Sequence, residues 1–139
     1  MLRWLLRICG LVDCLAIFVV FLSPETITKL HSLMGQDPFP QTVISYYMAR
    51  SVSLMYVAHG VLLIYVSFDT QRWFELIRVL AIISVLQGLI LVYVDIASGM
   101  PWWWTLVEGP LLASWGVVVL VLTHHKKRCH AAKQHGIIE

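Results

Sequence analysis

LIRVLAIISVLQGLILVYVDIA, residues Leu76–Ala97, decides the fold. Its apolar residues run on without the every-other-residue alternation of a barrel strand, and the run is about twice a barrel strand's length. A transmembrane helix needs about 20 mostly apolar residues, and this stretch supplies them. Three further windows of the same kind surround it, at Leu5–Leu22, Val43–Phe68 and Thr105–Thr123. The 139 residues are 59% hydrophobic and only 13% charged, with mean hydropathy +0.78, far from the soluble globular average. In lipid every backbone polar group must be satisfied internally, which leaves helices as the spanning element for runs of this length. The reading is therefore all-α: a four-helix transmembrane bundle forming a single integral membrane domain over residues 1–139, its main environment the lipid bilayer.

The first window begins like a signal peptide, with Arg3 ahead of an apolar run. No small-residue cleavage pattern follows it, and Asp13 and Cys14 interrupt its middle. Asp13 does not forbid insertion. Twelve Leu, Ile, Val and Phe lie in Leu5–Leu22, each favourable by about 0.3–0.6 kcal/mol at a helix centre against about 3 for one Asp. Arg7 lies near the end of the window and can snorkel to the interface. The window is read as an uncleaved first span.

Basic residues set the orientation. Arg3 and Arg7 open span one, Arg72 and Arg78 flank the connection between spans two and three, and Lys126, Lys127, Arg128 and Lys133 follow span four. The other two connections hold only Lys29. The positive-inside rule then puts both termini, and the basic tail 124–139, in the cytoplasm. Tyr46, Tyr47 and Trp102-Trp103-Trp104 fall at the outer interface and Trp4, Trp73 and Phe74 at the inner one, where amphipathic rings settle. Trp115, in mid-span, reads as a packing residue.

In the outer loop, Ser23 to Thr42, Ser23 can cap a helix whose first residue is Pro24, with Gly35 ending it. Ile27, Leu30, Leu33 and Met34 share one face of that segment, as expected of a short interfacial helix between spans one and two.

Five ionisable residues within or beside the spans mark where to look for function, because charge in hydrocarbon is kept when paired or used. At 1.5 Å per residue, Arg50 on span two, Asp95 on span three and Glu108 on span four fall in one layer near the outer surface. A shared salt bridge would suit the planar fork of Arg50. A second layer lies near the midplane, where Asp13, His59 and Gln87 could form an acid–imidazole pair with a neighbouring amide. Such a pair could also move a proton. Arg50 and His59, nine residues apart, point to opposite sides of their helix. Ser84, Gln87, Gly88, Leu91 and Asp95 share a stripe on span three, and Cys9, Asp13 and Ala16 one on span one; both stripes are expected to face inward. Gly10, Gly60, Gly88 and Gly116 would let helices approach closely, and Glu108-Gly109-Pro110 is read as loosening the first turn of span four.

Three cysteines supply no disulfide framework. His124, His125, Cys129, His130 and His135 have no spacing that closes a tetrahedral metal site, so no metal and no cofactor is expected. No nucleic-acid motif, phosphate loop or nucleophile elbow occurs.

The layout resembles the DoxX-like group of small bacterial four-helix membrane proteins. The likeness is carried by Ala49-Arg50-Ser51 opening span two, the glycine-containing run to Gly60, the basic turn Asp69–Arg72 and the Gly88 span, over residues 43–123. Trp102–Trp104 and Glu108-Gly109-Pro110 depart from it. The resemblance implies a multi-pass protein of the bacterial inner membrane, and a role beside respiratory or redox complexes proposed for some members. From the residues, three functions stay open: a non-enzymatic membrane subunit or small-ligand or lipid binder built on Arg50, Asp95 and Glu108; a proton-coupled transporter acting as a homodimer; and a lipid or sterol enzyme using His59 and Asp13 as acid and base. The expected partners are accordingly a small apolar or lipid ligand, a second copy, or a larger membrane complex.

Overall fold

Backbone amides that cannot reach water close on their own helix, and the chain does this almost throughout. In a computed structural model, which describes residues 1–35 and 39–134, with side chains only as far as His124, the elements are helical. They run α1 (Leu2–Cys14), α2 (Ile17–Phe21), α3 (Pro24–Leu33), α4 (Val43–Phe68), α5 (Phe74–Ala97) and α6 (Trp102–Gln134). Among the described residues there is no strand. Four segments are long and apolar enough to cross a membrane: Leu2–Phe21, Val43–Phe68, Phe74–Ala97 and Trp102–His124. This fits an all-α membrane protein.

Span one is not one straight helix, as the continuous apolar run had suggested. It breaks directly after Asp13-Cys14. Leu15 and Ala16 hold φ/ψ near −60°/−20°, the tighter 3₁₀ geometry. Ala16 N–H bonds Asp13 O, Phe18 N–H bonds Leu15 O and Val19 N–H bonds Ala16 O, each at 3.1 Å. Every one of these is an i to i+3 bond, so the polypeptide stays satisfied through the break.

The loop helix forms where its signals stand. Ser23 Oγ accepts from Thr26 N–H at 3.3 Å, Pro24 takes the first helical position, and Gly35 follows the end with φ +72°. The Ser23 hydroxyl, then the backbone N–H of Glu25, hold the Glu25 carboxyl below its usual range. A carboxylate depressed in this way contributes stability above its unfolded pKa and loses it as pH falls through the folded value. Ser23→Ala should raise amide exchange at Thr26 about fivefold, matching a lost N-cap of about 1 kcal/mol; an unchanged rate would mean α3 is held by its flanks alone.

The start of α6 differs from the sequence reading. Ser98 caps α5, Gly99 takes φ +70°, Gly99 N–H bonds Ile96 O at 3.2 Å and Met100 N–H bonds Asp95 O at 2.9 Å. This is the Schellman arrangement, in which the left-handed residue favours glycine. The helix then restarts at once at Trp102, so Pro110 lies in the interior of α6 rather than in its first turn. There it removes a donor that would have met Leu106 O. Pro110→Ala should therefore raise the midpoint of unfolding in detergent, and a lowered midpoint would show that the proline shapes the packing instead. At its other end α6 runs on to Gln134, about 50 Å at 1.5 Å per residue, against a hydrocarbon core of about 30 Å.

The chain divides into two compact units, one essentially Arg3–Phe68 and the other from Asp69 onward. In the first, α1 and α4 run antiparallel. A Cβ on Gly10 would lie 2.7 Å from Gly60 O, and one on Gly60 would lie 2.5 Å from Gly10 O. In the second unit α5 and α6 are antiparallel, with Gly88 against Gly109 and Ala113, and Gly116 against Ala81 and Val85. Both pairs thus close on glycine, which lets backbones touch where lipid offers no hydrophobic drive for association. Leu6, Leu63, Val66, Ile77, Ala81 and Val119 on these helices are buried.

Candidate functional site

The α1–α4 seam carries the chemistry of the first unit as a ladder. At its Arg7 end, Arg7 Nε donates to Ser67 Oγ at 3.2 Å and the guanidinium lies over the Trp4 and Phe68 rings, at 5.5 and 5.1 Å. Next come the opposed Gly10 and Gly60. Beside them His59 Nδ1 meets Asp13 Oδ2 at 2.8 Å. One residue further along α1, Cys14 Sγ faces Val57 O at 4.0 Å. Arg50 Nη2 then donates to Leu22 O at 3.2 Å.

Sequence and packing explain why the acid meets the imidazole. Gly60 has no side chain, so α1 sinks onto α4 until Asp13 Cβ lies 2.9 Å from where a Gly60 Cβ would be. His59, the preceding residue, is thereby brought alongside the carboxylate. The pair is half-buried, with Asp13 22% and His59 35% exposed. It sits immediately before the 3₁₀ break, so the carboxylate is held at the end of a regular helix rather than in its middle.

Arg50, Asp95 and Glu108, read from depth as one layer, divide between the units. In the first, half-buried Arg50 bonds the carbonyl of Leu22, and its buried Nε has no hydrogen-bond partner among the described residues. The carbonyl is available because α2 ends at Phe21 and Leu22 turns to extended backbone, ψ 145°, leaving terminal carbonyls unbonded. In the second, Glu108 Oε2 accepts from Trp104 Nε1, one helical turn away on α6. Trp104 is thus tied to the carboxylate, a contact the reading of the tryptophans as interface anchors did not include. Asp95 is 4% exposed, and among the described residues its Oδ2 has no hydrogen-bond partner. Trp115 Nε1 is likewise buried with no partner among them.

Gln87, expected beside the acid–imidazole pair on an inward stripe, belongs to the second unit. There Ser84, Gly88 and Asp95 are buried, but Gln87 is exposed. The stripe predicted by i, i+3, i+4 spacing was one position too wide, because the glycine seam centres it on Gly88. Gly109, missed as a contact residue, is the partner that does so. A Gly-Pro pair read as a helix start concealed it.

Among the described residues no group of three or more His, Cys, Asp or Glu could hold a metal ion. The tail residues His125, Cys129, His130 and His135 lie outside the described side chains. Comparison with protein families, with curated proteins and with solved structures finds no match to the chain.

Proposed function

We propose that this is a non-enzymatic membrane subunit whose working element is the Asp13–His59 pair, able to take up and release a proton inside the first helix pair. The 2.8 Å contact between carboxylate and imidazole, in mid-span and half open, carries the reading. With the carboxylate ionised and the imidazole doubly protonated the pair is net neutral, and release of one proton leaves a single negative charge. That change of charge alters what the surrounding hydrocarbon tolerates. It also acts beside the 3₁₀ break, the least regular part of the span. The flanking basic residues place both termini in the cytoplasm under this proposal, with α3 lying on the outer leaflet, and the likeness in layout to the DoxX-like group agrees with a subunit role.

The test is His59 side-chain NMR in nanodiscs across pH 5 to 8. The expected result is a titration of the imidazole that moves when Asp13→Asn is introduced. An imidazole that holds one protonation state throughout, in both proteins, overturns the proposal. Proton flux in proteoliposomes, abolished by either Asp13→Asn or His59→Ala, would raise the subunit to a transporter.

Arg50 supports a second reading, that of a lipid binder. The half-buried guanidinium is held by one bond, Nη2 to Leu22 O, and its remaining terminal nitrogen could meet a carboxylate or phosphate headgroup, since guanidinium groups bind such planar or multidentate anions well. Arg50→Gln should then lower anionic lipid retained on purification by severalfold, measured by mass spectrometry. Equal retention removes the reading.

A further inference from the structure

The second unit holds an amide that the described residues leave unanswered. Gln87 lies close to the centre of Phe74–Ala97, is exposed, and has no hydrogen-bond partner among the described residues. In hydrocarbon an unbonded carboxamide is costly, because it has given up water for nothing. Its surroundings are ordered. Ile83, Gln87, Ile90, Val94 and Ala97 follow one another at spacings of four, three, four and three, and all five are exposed. Ile83 is 50%, Ile90 61% and Val94 43% exposed. That spacing is the seam of a left-handed helix pair, the commoner hand in membranes.

The neighbouring stripe on α5, displaced by one residue, runs through Ile77, Ala81, Ser84, Gly88, half-buried Leu91 and Asp95, and all of these but Leu91 are buried. α6 fills the stripe through Gly88; Ile82, Leu86, Leu89, Tyr93 and Ile96 repeat the spacing on an exposed face as well, and what singles out the stripe through Gln87 is its amide.

We infer that the open seam pairs α5 with α5 of a second copy of this chain, Gln87 meeting Gln87. The occupant follows from the chemistry. A carboxamide carries both donors and an acceptor, so it is its own complement across a two-fold axis. Two copies inserted in the same direction bring residue 87 of each to the same depth, whereas a partner of other sequence would need a polar group at that depth. One polar residue within an otherwise apolar seam also fixes register, as a single buried amide does in soluble coiled coils.

The experiment uses the full chain with Cys9, Cys14 and Cys129 replaced by Ala, expressed as two differently tagged copies. Single cysteines are placed at Ile83, Gln87, Ile90 and Val94, and off the seam at Ile82, Leu86 and Tyr93, all of them exposed positions. Mild oxidation in the membrane should join the two tagged copies at the first four positions and spare the other three. In the protein with its native cysteines, counting copies by photobleaching in nanodiscs should show two. Gln87→Leu should weaken the dimer about three- to thirtyfold, the range for an interhelical hydrogen bond in lipid, and Gln87→Asn should retain most of it. Single copies by photobleaching, cross-links spread equally over all seven positions, or cross-links to a different protein would each overturn the inference.

Discussion

Gly60→Leu is expected to separate α1 from α4. Even the first carbon of the new side chain would stand 2.5 Å from Gly10 O and 2.9 Å from both Asp13 Cβ and Cys14 Sγ. The nearest of these is backbone, which cannot rotate aside. Overpacking of ordinary cores costs about 1–3 kcal/mol; a leucine against a backbone carbonyl belongs at or above the upper end. The span would still insert, since leucine favours the membrane. The change should therefore appear as a lowered midpoint in denaturant titration at unchanged membrane yield. Ala58→Leu, on the exposed side of α4, is the control and should leave the stability read from the titration within about 0.5 kcal/mol, as surface changes do. Equal effects at the two positions would mean the helices are not held by close approach. The same substitution should pull Asp13 from His59, so the imidazole signal of the NMR experiment should shift with it.

The second large effect concerns that pair directly. Removing one member of a fully buried ion pair costs about 3–5 kcal/mol because the other is left uncompensated. Asp13 and His59 are 22% and 35% exposed, so about 2 kcal/mol is expected from Asp13→Leu or His59→Leu alone. The double variant should be less destabilised than the sum of the two, and close to either one. A double-mutant cycle reads this coupling as a term of about 1–2 kcal/mol. Strict additivity would show that the 2.8 Å contact contributes nothing in the membrane, and the proposed proton site would go with it.

How much of this was legible in the chain depends on how local each signal is. The four apolar segments were plain from their length, and α3 from Ser23, Pro24 and Gly35, all of which act within a few residues. Asp13 and His59 could be matched by depth, because two helices of known direction and rise leave little freedom along the membrane normal. Rotation about the helix axis was less legible. Gln87 and Gly88 differ by one residue and about 100° of rotation, yet one is exposed and the other touches Gly109 O. Hydropathy points the wrong way here, since the more polar of the two is the exposed one. The break at Leu15–Ala16 had no glycine or proline to announce it, and Pro110 pointed the wrong way. A proline usually marks a helix start, and only the turn at Gly99 shows that α6 is already under way.

The seams also differ in how far apart along the chain their halves lie, and this bears on the order of assembly. Four residues join α5 to α6, so that hairpin can close as soon as its second arm leaves the ribosome, at small entropic cost. Asp13 and His59 are 46 residues apart. The first span therefore reaches the membrane with its carboxylate unaccompanied and remains so until most of α4 has been made. At elongation rates of about 5–20 residues per second that interval lasts several seconds. Biogenesis is most exposed during that wait, when the carboxylate of α1 has been made and the histidine that answers it has not.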